Sequence, residues 1–186
     1  MTETELDAFA EVLDGPVYVV TAATARAATA TAATAMATAG AGGGAGAPGE
    51  RAGCLVGFAS QCSIRPPRFV VWLSTVNHTF RVACRASHLA VHVLGRDQHP
   101  LAELFGGETG DRTDKFARVE WAPSADGVPL LTGAPAWFVG RIETRIDGGD
   151  HMGFLLVPTE VSPGLPDTPA LLRYGDVRAI DPGHPA

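Results

Sequence analysis

Residues 53–82, GCLVGFASQCSIRPPRFVVWLSTVNHTFRV, constrain this chain more than any other stretch. The runs at 53–64 and 69–74 are apolar and β-branched enough to read as strands, and Pro66 and Pro67 between them cannot donate to a sheet ladder. The prolines impose a turn, which makes the two runs separate strands. Directly after the second run, Asn77-His78-Thr79 supplies capping side chains, so a short helix is expected to start near Asn77.

The rest of the chain repeats this grain of short segments and turns. An amphipathic stretch carrying Leu6, Phe9, Ala10 and Leu13 stops at Asp14-Gly15-Pro16 and leads into a strand at 17–20. Residues 88–94 read as a strand, 98–105 as a short helix closed by Gly106-Gly107, 116–121 as extended, and 129–132 as the lead into a further pair of strands. Residues 136–146 and 152–161 form the longest strand pair, joined by the turn Asp147-Gly148-Gly149-Asp150. Strand and helix do not alternate regularly, so a parallel doubly wound sheet is disfavoured and a mainly β, small antiparallel barrel with a few short helices is expected.

From 22 to 50 the composition collapses to Ala, Thr and Gly, with Met36 the one large apolar side chain. Such a segment buries too little surface to offset its ordering entropy, and it reads as a low-complexity loop insertion within a single 1–186 domain. A length of 186 residues suits one domain.

A net charge of −6 with Arg scattered among Asp and Glu gives no basic face for nucleic acid or an anionic membrane. No run approaches the roughly 20 apolar residues of a membrane helix, and the acidic start MTETELD is unlike a signal region, so a cytoplasmic protein with a small-molecule partner is expected. Cys54, Cys62 and Cys84 are odd in number and lack CxxC spacing, which argues against a disulfide framework or structural zinc and for small apolar side chains. His88 and His92 would share a strand face with Asp97 nearby, but no third ligand has a motif spacing, so no metal site is assigned. The signatures GxSxG and GxxxxGK[ST] are absent, which removes the local marks of hydrolase and P-loop chemistry, and the one GxGxxG match, Gly44 to Gly49, lies inside the low-complexity Ala/Thr/Gly stretch rather than after a strand, so a Rossmann reading is disfavoured.

The bend at 74–79 suits an anion such as a phosphate, with Ser74, Asn77, His78 and Thr79 as the candidate contacts. Simple helix capping by Asn77 and Thr79 is the competing reading.

Together with Gly149-Asp150-His151 far downstream, the 53–82 stretch resembles the flavin reductase-like family, whose members bind FMN or FAD in a split β-barrel. The likeness runs from Val17 to Leu171-Leu172-Arg173-Tyr174 and includes Asp114-Lys115-Phe116 and Pro129-Leu130-Leu131. It implies that Phe58, Ala59, Ser60, Gln61, Cys62, Ser63 and Pro66 lie along the isoalloxazine. It also implies that Gly149 and Asp150 border the cofactor and that His151 serves the flavin or the nicotinamide as the catalytic residue. Ala59 stands where relatives often carry threonine, and Arg65 where they carry an acid. The activity implied is an NAD(P)H-dependent flavin reductase, a homodimer using NADH or NADPH, that supplies reduced flavin to a partner monooxygenase. The alternatives are a non-catalytic flavin- or haem-binding split-barrel protein and a deazaflavin-dependent reductase.

Overall fold

The computed structural model describes residues 12–24, 49–163 and 170–183. Seven antiparallel strands form one sheet: β1 (Tyr18–Ala23), β2 (Arg51–Val56), β3 (Ala59–Ser63), β4 (Arg68–Ser74), β5 (His88–Val93), β8 (Ala136–Asp147) and β9 (His151–Val161). Their order across the sheet is β2-β1-β5-β8-β9-β4-β3. β2 and β3 stand at opposite edges, yet only Gly57 and Phe58 separate them in sequence. Two residues span so little distance that the sheet must curl until its edges nearly meet, which is the geometry of a half-open barrel.

The run read at 53–64 as one strand is therefore two strands. Cys54 is buried while Cys62, on the other edge, is exposed, as is Cys84. Of the three cysteines expected to serve as small apolar side chains, Cys54 alone does so in the core.

Inside the curl, Val20, Cys54, Val71, Leu73, Val91, Phe154 and Leu156 pack together, and helix α1 (His78–Ala83) closes one end with Val82 and Ala83. On the outer face of β1, Val17 and Val19 meet Phe105 of helix α2 (His99–Gly107), Leu172 and Val177 of helix α3 (Tyr174–Val177). The stretch expected to be extended from 116 begins instead as a 3-10 turn at Lys115–Ala117, because the Asp114 side chain accepts from the Phe116 N–H and caps it. The extended run then starts at β6 (Trp121–Pro123), which pairs with β7 (Pro129–Leu131) as a small second sheet.

Buried His92 ties this hairpin to the barrel. Its Nδ1 lies 3.0 Å from the Val19 carbonyl and its Nε2 accepts the Leu131 N–H at 3.1 Å. The two bonds fix a neutral tautomer with the proton on Nδ1, and burial lowers the imidazole pKa to about 4. His88 approaches Asp126 at 3.6 Å, and no cluster able to hold a metal ion occurs among the described residues.

No helix among the described residues is long and apolar enough to cross a membrane. Residues 25–48, most of the Ala/Thr/Gly stretch, and residues 1–11, with Leu6, Phe9 and Ala10, lie outside the described residues.

Candidate functional site

The site is assembled on the outer face of β3, β4 and β9. In an antiparallel ladder, opposed residues project to the same face and the face alternates along each strand. Val71 and Leu73 point into the core, so Trp72 and Ser74 point outward. Opposite them on β9 stand Gly153 and His151. On β3, Ser60 opposes Val70, while Ala59, opposite Val71, packs against the core. Just ahead of β3, the Phe58 carbonyl accepts the Trp72 N–H at 2.9 Å, which brings the exposed Phe58 ring alongside. Phe58, Ser60, Trp72, Ser74 and His151 thus share one surface.

His151 is oriented by what surrounds it. Its Nδ1 lies 2.8 Å from Asp150 Oδ1, and because an ionised carboxylate can only accept, Nδ1 carries the proton. This bond from His151 holds the Asp150 carboxyl below the usual carboxylate range. The imidazole meets the Phe58 ring nearly edge-on, with centroids 5.4 Å apart. Nε2 has no protein partner among the described residues. Behind the histidine, the turn is closed by Gly148 N–H donating to the His151 carbonyl at 3.0 Å, and Gly149 sits at φ +94°, where glycine is favoured. Thr75 grips the turn from β4, since both its N–H and its hydroxyl donate to the Asp150 carbonyl, at 2.9 and 3.1 Å.

β3 is an edge strand. It is hydrogen-bonded to β4 alone, so alternate N–H and C=O groups along its free edge face away from the sheet. Its register shifts between Gln61 and Ser63, the β-bulge that lets Ser60 and Ser63 escape strict alternation. Ser63 donates to the Pro66 carbonyl at 2.6 Å, and Gln61 Nε2 donates to the Ser63 carbonyl at 3.1 Å, which stiffens the turn before β4. Arg68 anchors that turn through two bonds to Glu143, at 2.5 and 2.8 Å, on a bulge of β8. Gln61 also lines a separate apolar cavity of about 440 Å³ with Tyr18, Phe69 and Phe138.

The helix-start residues divide. Asn77 is the N-cap, with its Oδ1 accepting the Thr79 N–H at 2.8 Å. Thr79 is buried and directed at the Cys54 thiol. The His78 ring turns to Asp111, 3.0 Å from Nδ1, and Glu50, 3.5 Å from Nε2, beside a cavity of about 460 Å³ that Lys115 also lines. Arg81 pairs with Asp111 and pulls that carboxyl down to about 2. The fold thus gathers Phe58, Ser60, Ser74, Asp150 and His151, and sends His78 and Thr79 elsewhere. Trp72 and Thr75 belong to the gathered set although sequence reasoning passed over both. The alternation of β4 was the signal for Trp72, since an outward Trp between inward Val71 and Leu73 needs a reason to be there.

A planar redox ring needs apolar surface for its face and donors and acceptors for its rim. The exposed Phe58 supplies the first, and the free edge of β3 with Ser60 and Ser63 supplies the second, so the residues present fit a flavin.

Comparison with known proteins agrees. The chain is 31% identical over 134 residues to the reductase subunit HsaB of a flavin-dependent monooxygenase from Mycobacterium tuberculosis, covering 68% of this chain and 70% of that one. It is likewise 31% identical over 129 residues to an NADH:riboflavin 5′-phosphate oxidoreductase of Streptomyces pristinaespiralis, covering 69% and 72%. Among solved structures, the NADH:FAD oxidoreductase SgcE6 of Streptomyces globisporus superposes with a TM-score of 0.67 at 22% identity, over 86% of this chain and 81% of that one. At that identity the likeness speaks for the fold. Residues 35–180 match the family described as the flavin reductase like domain, and with the half-open barrel and the edge-strand site in place, the chain belongs to that family.

Proposed function

We propose that this protein is a flavin reductase that takes FMN and oxidises NADH. The observation that carries the reading is the juxtaposition of the free edge of β3 with the His151–Asp150 pair across β4. When bound, a flavin would supply, at its N5, the acceptor for the hydride of a reduced nicotinamide.

The chain's own task is alignment. Backbone groups of residues 59–63 and the Ser60 and Ser63 hydroxyls hold the ring's polar rim, while Phe58 covers apolar surface and excludes water. Ser74, with no protein partner for its hydroxyl among the described residues, is left to take a polar group of the ligand. Asn77 supports this bend as a cap, while His78 and Thr79 take part only by holding the helix start in place. With its proton on Nδ1 and held by Asp150, His151 presents Nε2 as an acceptor for the nicotinamide carboxamide N–H, which fixes the ring's approach. Fixing two reactants in a near-attack geometry is worth several kcal/mol of barrier, so no acid–base pair of the hydrolytic type is required.

The further assignments follow from this reading. Released reduced flavin would serve a monooxygenase, as HsaB's name says of its own system. NADPH is the second donor to test. Two copies would pair through exposed apolar side chains, of which Phe58, Ile64 and Val76 are candidates. The cytoplasm is the compartment that supplies reduced nicotinamide and keeps exposed thiols such as Cys62 and Cys84 reduced. One domain spans the chain, and the stretch expected as an insertion over 22–50 is shorter at its start, since Ala22 and Ala23 complete β1 and pair with Ala52 and Arg51, so that what joins β1 to β2 begins at Thr24.

The test is anaerobic. The protein is mixed with FMN and then with NADH or NADPH, and the flavin absorbance is followed. Bleaching over many turnovers is expected with NADH. A bound flavin that neither nicotinamide reduces would overturn the reading in favour of a non-catalytic flavin-binding or deazaflavin-dependent protein.

A further inference from the structure

We propose that Trp72 is a positioning residue for His151, holding both members of the Phe58–His151 contact from β4. This rests on the role given to His151 above. Trp72 and Gly153 are register partners, and a Cβ built on Gly153 would lie 2.9 Å from Cζ3 of the indole. A Cβ on Gly148, at the other end of the turn, would lie 2.5 Å from the same atom and 3.0 Å from Cε3. One indole therefore fills the side-chain space of both glycines that bracket Gly149, Asp150 and His151. Gly149, at φ +94°, is needed for its backbone and would meet nothing within 4 Å. Gly148 has no such left-handed φ, so what forbids a side chain there is the indole together with the His151 carbonyl, 3.0 Å from that Cβ.

The same residue reaches the other partner through its backbone. Its N–H donates to the Phe58 carbonyl at 2.9 Å, and the Phe58 ring then meets the His151 imidazole. Side chain and main chain of Trp72 thus converge on one contact from two directions. Thr75 adds the grip on Asp150 described above, so the turn is supported at its start, its middle and its end. A shift of about 1 Å in a positioning group can cost on the order of 100-fold in rate, which makes the support consequential.

Two variants test this. Trp72→Phe withdraws the wedge, and Gly148→Ala, on an exposed turn, drives a methyl against it without touching the core. The first readout needs no cofactor: the imidazole proton resonances of His151 in the ligand-free protein, shifted by the neighbouring Phe58 ring. Both variants are expected to move these resonances. They are also expected to lower kcat/KM for NADH about 10- to 100-fold, to leave the FMN Kd within about twofold, and to cause no further loss when combined with His151→Ala. Unmoved His151 resonances in either folded variant would overturn the proposal. So would an NADH defect that persists undiminished on the His151→Ala background, or normal kinetics in both variants while His151→Ala is itself impaired. If His151→Ala turns over like the wild type, the role given to His151 falls, and the positioning claim stands or falls on the resonances alone.

Discussion

Ser74 at the end of β4 and His151 at the head of β9 are direct register partners on the outer face of the sheet. A hydroxyl and an imidazole from distant parts of the chain are thereby set side by side on rigid strands, with Asp150 fixing the tautomer of one of them. Replacing His151 by Ala is expected to reduce kcat/KM for NADH about 100-fold while changing the FMN Kd less than about threefold. Equal losses in both quantities would move His151 from the nicotinamide to the flavin.

Ser74 has a separate signature. One hydrogen bond to a charged group contributes about 1.5 kcal/mol, so Ser74→Ala should weaken FMN binding about 10-fold if the hydroxyl meets the phosphate. Riboflavin, which lacks the phosphate, should bind the variant and the wild type alike. Parallel losses for both ligands would place the hydroxyl on the ring or ribityl chain instead.

Asn77 has a structural task that is already visible, since its Oδ1 caps α1 through the Thr79 N–H. Asn77→Ala should cost about 1 kcal/mol of stability, read as a lowered midpoint in urea, and Asn77→Ser or Asn77→Asp should restore most of it. Restoration of stability without restoration of FMN affinity would give Asn77 a ligand contact besides its cap.

Thr24 and Glu50 close the neck of the β1–β2 hairpin. The Thr24 N–H donates to the Glu50 carbonyl at 2.8 Å, and the Glu50 N–H donates to Thr24 Oγ1 at 2.9 Å. Replacing residues 25–49 by Asn-Gly, a two-residue hairpin turn, should therefore leave the protein folded with FMN affinity within about twofold. A large loss of bound FMN in a folded variant would make the segment part of the site.

How far this could be read from residues alone varied with the length scale of the signal. Pro66-Pro67 and Asp147-Gly148-Gly149-Asp150 are local turn chemistry, and the strands on either side of them were legible in sequence. The break at Gly57-Phe58 was not, because a single glycine in an apolar run signals equally a bulge, a close approach or a change of sheet edge. The pairing of Ser74 with His151 is a register between strands far apart in the chain, and no periodicity within either strand encodes it. Thr79 showed the opposite limit. Its position beside Asn77 suggested a ligand, but a face of α1 turned to the core carries it inward against Cys54.

His92 carries the last prediction. Unfolded, its imidazole titrates near 6.5, whereas burial between β1 and β7 lowers the folded value to about 4. Between those values the unfolded chain binds a proton that the folded chain refuses, so stability is full above pH 6.5, declines as pH falls toward 4, and changes no further from this group below that. At about 1.36 kcal/mol per pKa unit the loss is on the order of 3 kcal/mol. Of the carboxylates held low in the folded state, Asp111 and Asp150 act below their ordinary value near 3.8 and Glu108 and Glu143 below theirs near 4.5, so they contribute at the acid end of this window and not across most of it. Unfolding free energies from urea titrations at pH 7, 6, 5 and 4.5 should therefore fall steadily in the wild type. His92→Gln, which can still donate to the Val19 carbonyl and accept from Leu131 but cannot titrate, should be less stable at pH 7 and much flatter with pH. An undiminished acid slope in that variant would mean that another buried group governs the transition.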